Sequence, residues 1–258
     1  MNNILIKVEN LVKTVGGLVA LNDCSLEIKD KAITGIIGPN GSGKTTLFNV
    51  ITGNLKPDTG KVFYNGVEIT NEESHDLFHL GVLRTFQIAH EFSNMTVIEN
   101  LMVVPGNQKG EKLLYSLMNS QKIKKEDELI KDKAMEVLKF LKIEHLKNER
   151  AGNLSGGQKK LLELARTMMV DAKIVFLDEV GAGVNKTLLR DISDSILKLN
   201  QDKGYTFCMI EHDFNFISEL CDPVIVLAEG SVLFKGSAEE VKSNEQVIES
   251  YLGKGLKK

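Results

Sequence analysis

Residues 33–51 read ITGIIGPNGSGKTTLFNVI, and their reading decides the fold. Ile33–Ile37 is a continuous apolar run of strand length, the pattern of a parallel strand covered on both faces. It runs straight into glycines, and a helical pattern follows at Leu47–Ile51. Between them Gly38-Pro39-Asn40-Gly41-Ser42-Gly43-Lys44-Thr45, with Thr46 after it, fits G-x-x-x-x-G-K-[ST] in the strand–loop–helix context that motif needs. Glycines let backbone N–H groups wrap a phosphate, and the dipole of the following helix adds to the field. Lys44 has the reach for β- and γ-phosphates, and the Thr45 hydroxyl can ligate Mg²⁺.

Outward from this loop, Ile174–Leu177 and Thr206–Ile210 are further short apolar runs, with helical patterns alternating between them. Before and after the loop, residues 4–8, 24–28 and 62–69 read as strands, and Asn65-Gly66 signals a type I′ hairpin. Residues 107–150 differ: they carry eleven Lys/Arg against eight Asp/Glu, which reads as a solvated helical face. Within them Ile130, Ala134, Val137 and Leu141 recur at amphipathic helical spacing. The expected fold is α/β: a P-loop NTPase core with a parallel sheet, an N-terminal antiparallel β subdomain and an inserted α-helical subdomain. The whole of 1–258 is expected as one domain, with the helical part at about 88–165. Ser237 and Glu240 have capping-box spacing before a last helical segment.

Composition narrows the function. A 42% hydrophobic chain of 258 residues can bury a core. A net charge of −3 lacks the basic footprint of non-specific nucleic-acid binding, so no nucleic-acid partner is expected. Three cysteines without a C-x-x-C pair argue against a disulfide framework. The longest apolar run, Val224–Ala228, is far short of the roughly 18–20 residues of a membrane span. Lys7 and Glu9 interrupt the stretch that a signal peptide would keep apolar. The expectation is a soluble, cytoplasmic chain whose membrane role, if it has one, runs through a partner. His75 and His79 are four apart and could share a helix face, but no ligand cluster accompanies them.

Three more fixtures carry chemistry. Asp178-Glu179 ends the strand KIVFLDE, at the carboxyl edge where open α/β sheets bind ligands. Asp178 there can hold Mg²⁺ through water, and Glu179 can polarise an attacking water. His212, in Ile210-Glu211-His212-Asp213, falls on the same sheet edge and suits a γ-phosphate contact. Finally, residues 153–160 read NLSGGQKK: Ser155 is a good N-cap, Gly156 and Gly157 permit close approach to the backbone, and Gln158 follows. That is a second anion site, more than a hundred residues from the first.

With GPNGSGKTT, LSGGQ, LDE and the strand-end histidine in this order, nearly the whole chain resembles the ATP-binding subunit of an ATP-binding-cassette transporter. The resemblance implies ATP and Mg²⁺ as ligands and ATP hydrolysis as the activity. It implies that two cassettes dock head to tail, each placing its Ser155–Gln158 segment on the γ-phosphate of the other's ATP. Gln87 in RTFQ matches the glutamine that links Mg²⁺ and the attacking water to the helical lobe, and residues 182–185 match a loop that crosses the dimer interface. Val15 stands where the family usually stacks an aromatic ring on adenine, and Val180 where it usually has proline. Implied partners are a second cassette, identical or different, integral membrane permease subunits and, indirectly, an external substrate-binding protein. The implied location is peripheral, on the inner face of the cell membrane.

GVLRTFQ, MTVIENL, DE-x-x-AG-x-N, IEHD and a terminal YLG are similar to the larger ATPase subunit of branched-chain amino acid importers. Urea and amide importers share this type, and the lipopolysaccharide-export ATPase is a near relative. Soluble repair and translation cassettes carry long coiled coils or two cassettes; this chain has one phosphate loop, one LSGGQ and no long heptads. A dead binding module is disfavoured by Lys44, Asp178, Glu179 and His212 together. A GTPase is disfavoured because Asn185-Lys186-Thr187-Leu188 lacks the aspartate of N-K-x-D.

Overall fold

The structure, a computed structural model, describes residues 3–85, 91–106, 108 and 120–252. They fall into two compact units.

The first unit holds residues up to 85, 173–181 and 197–252. It begins with β1 (Ile4–Val15) and β2 (Leu18–Lys29), then β3 (Ile33–Ile37) and α1 (Lys44–Ile51). β4 (Thr59–Tyr64), β5 (Val67–Glu68), α2 (Ser74–His79) and β6 (Val82–Arg84) follow. β1, β2, β4 and β5 form an antiparallel sheet in the order β2-β1-β4-β5. Asn65 (φ 49°) and Gly66 (φ 78°) both take the positive φ that a type I′ turn demands. β1 and β2 are longer than their apolar patterns suggest. Leu5, Ile6, Val8, Leu11, Cys24, Leu26 and Ile28 are buried, whereas Val15, Leu18 and Val19 at the hairpin tip are exposed. The strand extends by backbone pairing beyond the part that packs on the core.

Later in the chain come β7 (Ile174–Asp178), β8 (Thr206–Ile210), β9 (Val224–Ala228) and β10 (Ser231–Gly236). Together with β3 and β6 they form a second sheet in the order β10-β9-β3-β8-β7-β6, parallel throughout except for the β10 edge. Every residue of β3, β7 and β8 is buried, as their unbroken apolar runs require. Parallel pairing brings Ile37, Asp178 and Ile210 to one carboxyl edge, with Asp178 directly beside Ile210. α1 packs Leu47, Phe48 and Ile51 into the core, Phe48 edge-on to Phe176 with ring centroids 4.9 Å apart.

The second unit holds residues 91–106, 108, 120–172 and 182–196. Its helices are α3 (Val97–Met102), α4 (Ser120–Phe140) and α5 (Gly156–Met168), and α6 (Lys186–Lys203) starts within it. α4 buries Ala134, Val137 and Leu138 on one face and exposes Leu129 on another. α3 opens with a complete capping box, Thr96 with Glu99. The Asn100 side chain, fully buried, bonds the N–H and C=O of Phe92 and so ties the preceding loop to α3.

In the first unit, α7 (Phe214–Leu220), α8 (Ala238–Ser243) and α9 (Glu245–Leu252) are the last helices of the described residues, and α8 carries the expected Ser237–Glu240 capping box. Among the described residues no helix is long and apolar enough to cross a membrane. The three cysteines are buried and free.

Candidate functional site

The loop between β3 and α1 is built around glycines that cannot be replaced locally. A Cβ on Gly38 would lie 2.2 Å from the Leu227 carbonyl oxygen, and one on Gly43 (φ 99°) would lie 2.4 Å from the Ala20 carbonyl oxygen. Gly41 (φ 80°) is open to space. Helix α1 starts at Lys44, earlier than its apolar pattern indicates, because Gly43 serves as its N-cap without a side-chain bond. Its first N–H groups therefore face the loop.

The Lys44 ammonium is buried inside that loop and donates to Gly38 O (2.8 Å) and Pro39 O (3.0 Å), with Ser42 Oγ at 3.5 Å. These partners are all neutral. Burial pushes its pKa down, while the Glu179 and Asp178 carboxylates pull it the other way. A buried cation whose recorded bonds are to dipoles alone, in a cradle where a Cβ does not fit, suits an anion of phosphate type. Thr45 and Thr46 occupy the first turn of α1 behind it.

At the neighbouring strand ends, Asp178 is the last residue of β7 and is 2% exposed. Its Oδ2 accepts from Arg84 Nη2 at 2.7 Å, and the same guanidinium bonds Asn49 Oδ1 of α1 and lies over the Phe48 ring. Glu179 leaves the strand. Its φ of 50° is left-handed, so its divergence from Asp178 comes from a backbone turn, not from the simple alternation of a strand. Its Oε1 meets His212 Nε2 at 2.9 Å. The carboxyl edge thus gathers Lys44, Asp178, Glu179 and His212 in one unit.

Val15 stands at the exposed end of β1, and β2 returns from there to Ala20 against Gly43. Gln87 lies outside the described residues. The loop of residues 182–185 belongs to the second unit, with Asn185 Oδ1 accepting from Leu188 N at 2.9 Å at the start of α6.

The LSGGQ segment forms the N-terminus of α5. Ser155 is its N-cap in a reciprocal box with Gln158: Ser155 N donates to Gln158 Oε1 at 2.9 Å, and Gln158 N to Ser155 Oγ at 3.4 Å. The two glycines differ. A Cβ on Gly157 would meet Leu188 Cδ2 at 2.1 Å, so that glycine admits the chain's own α6. Gly156 is exposed, and its Cβ would find nothing nearer than 4.0 Å. The open approach is therefore at Ser155 and Gly156, which face solvent.

Arg84 and Glu211 escaped the reading of the sequence. Arg84 looked like one basic residue in RTFQ, although an arginine inside a short strand is a signal for a buried anionic partner. Glu211 stood beside a more conspicuous histidine. Glu211 is 5% exposed, and its Oε1 accepts from Gly181 N at 2.8 Å. His75 and His79 do approach, Nε2 to Nε2 at 3.4 Å, but no group of three metal-ligating side chains occurs among the described residues.

Comparison with known proteins agrees with this geometry. Residues 21–182 match a family profile described as ABC transporter, and residues 231–257 match one described as branched-chain amino acid ATP-binding cassette transporter. The chain is 43% identical to the probable branched-chain amino acid transport ATP-binding protein LivG of Archaeoglobus fulgidus, covering 96% of this chain and 95% of that one. It is 34% identical to the high-affinity branched-chain amino acid transport ATP-binding protein LivG of Escherichia coli K12, covering 98% and 99%. A crystal structure of a nucleotide-free ATP-binding cassette from an ABC transporter superposes with a TM-score of 0.82 at 41% identity, over 96% of this chain and 98% of that one. A dimeric cassette bound to ADP and Pi superposes with a TM-score of 0.74 at 25% identity, over 91% and 99%. The chain therefore belongs to the ABC transporter family, as one of its ATP-hydrolysing cassettes.

Proposed function

We propose that this cassette powers an importer of branched-chain amino acids, sitting on the inner face of the cell membrane against integral permease subunits. The observation that carries the substrate class is the C-terminal match at residues 231–257, added to full-length likeness to proteins named for branched-chain amino acid transport. The binding protein outside the membrane is an indirect partner. The dimeric relative supports pairing of two cassettes around ATP, with Ser155, Gly156, Gly157 and Gln158 of one chain completing the other's site.

The residues fit Mg-ATP. Lys44 and the backbone N–H groups of residues 38–46, Pro39 excepted, hold the phosphates, and Val15 gives the base an apolar contact without stacking. Thr45, Asp178 and Gln87 would hold Mg²⁺, which when bound neutralises phosphate charge. Glu179 polarises the attacking water, and His212, now paired with Glu179 at 2.9 Å, contacts the γ-phosphate side of the site. Catalysis is then in-line attack helped by positioning and charge neutralisation.

Reconstitution tests this. The chain, its genomic partner cassette and the neighbouring permease and binding-protein genes, assembled in liposomes, should take up labelled leucine only with ATP on the cassette side. Uptake should vanish with Glu179→Gln. Uptake of urea or short amides but no branched-chain amino acid would replace the substrate class, and ATP-driven efflux would reverse the direction.

A further inference from the structure

Glu179 sits on a strained turn: φ of 50° brings the Cβ of a non-glycine residue against its own backbone. Such a residue stays there only if its surroundings hold it. Three consecutive residues at the end of β8 do so. The Ile210 carbonyl accepts from Glu179 N at 3.0 Å. The Glu211 carboxylate accepts from Gly181 N at 2.8 Å. The His212 ring meets the Glu179 side chain at 2.9 Å. Between the two backbone anchors Val180 is 5% exposed, so the turn is also packed from within.

Ile210 uses its main chain and His212 faces the reacting side, which leaves Glu211 as a buried carboxylate that touches no expected ligand. Burial pushes its carboxyl up, while the Gly181 and His212 backbone N–H groups act against that. Burying a carboxylate is costly without bonds that repay it.

We propose that Glu211 is a positioning residue for Glu179, its side chain fixing the turn 179–181 through the Gly181 amide. What the fold needs at 211 is an acceptor of that reach, and the negative charge is secondary. The inference rests on Glu179 as the residue that polarises water.

Two substitutions separate reach from charge. Glu211→Gln keeps the length and the carbonyl acceptor but loses the charge. Glu211→Asp keeps the charge but falls short by one methylene. The first readout needs no nucleotide: amide hydrogen exchange at Gly181, followed by NMR. Protection should persist in Glu211→Gln and fall at least about tenfold in Glu211→Asp, as for a backbone bond opened locally. The second is ATP hydrolysis in the assembled transporter. Glu211→Asp should lower kcat about 10²-fold with KM nearly unchanged, the scale of a misplaced catalytic group, and Glu211→Gln should stay near wild type. Glu211→Asp at wild-type protection and rate, the reverse order of the two variants, or equal losses in both would overturn the brace. Glu179→Gln, measured alongside, isolates the underlying reading. If it hydrolyses ATP normally, Glu179 is not the activating residue; if it is inactive while Glu211→Asp is normal, only the brace fails.

Discussion

Arg84 shows how much one side chain can hold in place. Its guanidinium reaches the strand-end acid Asp178 at 2.7 Å, with side-chain exposures of only 8% and 3%, and bonds Asn49 of α1 as well. Removing one partner of a buried pair leaves an uncompensated charge, which typically costs about 3–5 kcal/mol. Arg84→Met should therefore lower unfolding stability by about that much, read from the urea midpoint, whereas Arg84→Lys should lose less. A change below about 0.5 kcal/mol, the ordinary effect of a surface substitution, would show that Arg84 does not hold the acid. At Val15 the effect has the opposite sign. Base–aromatic stacking is worth roughly 1–3 kcal/mol in single-strand nucleic-acid sites. Val15→Tyr should tighten ATP binding by about 1 kcal/mol, near fivefold, and sharpen preference over GTP in calorimetry. Unchanged or weaker binding would move the adenine contact elsewhere.

At the scale of the element, what the sequence showed depended on whether an element advertises itself by pattern. β3, β7, β8 and β9 are buried on both faces, and their unbroken apolar runs mark them. The outer half of the β1–β2 hairpin is exposed, so its pairing left no periodic trace. The start of α1 was hidden for another reason: it opens with a glycine N-cap followed by Lys44, Thr45 and Thr46, which carry no apolar stripe. In the LSGGQ helix, the sequence disclosed the Ser155 cap but not the division of labour between the glycines. A methyl on Gly157 would meet Leu188 Cδ2 at 2.1 Å, and one on Gly156 meets open space. Gly157→Ala should destabilise the chain by about 1–3 kcal/mol, the usual overpacking cost. Gly156→Ala should leave thermal unfolding unchanged and act on nucleotide-driven pairing instead. Equal thermal effects from the two would contradict this division.

Across the whole molecule, the candidate site at the sheet's carboxyl edge was legible because sheet topology does the gathering. Parallel strands put their carboxyl ends together, so a glycine-rich loop after β3, the acids at the end of β7 and a histidine after β8 had to converge. The supports of that edge were not legible, since Arg84 and Glu211 act across strands that are distant in sequence and only pairing register brings them near. Function adds one larger claim, that a complete site takes a second cassette: Ser155 and Gly156 face solvent at the N-terminus of α5. Mixing two crippled chains tests that claim most directly. Lys44→Ala removes the buried lysine of the β3–α1 loop, and Ser155→Arg blocks the approach to the capped helix. Pairs made of a single variant should hydrolyse no ATP above background. A mixed pair contains one site with both Lys44 and Ser155 intact, so partial hydrolysis should return. Mixed pairs that form by light scattering yet stay inactive would contradict a site shared between two chains.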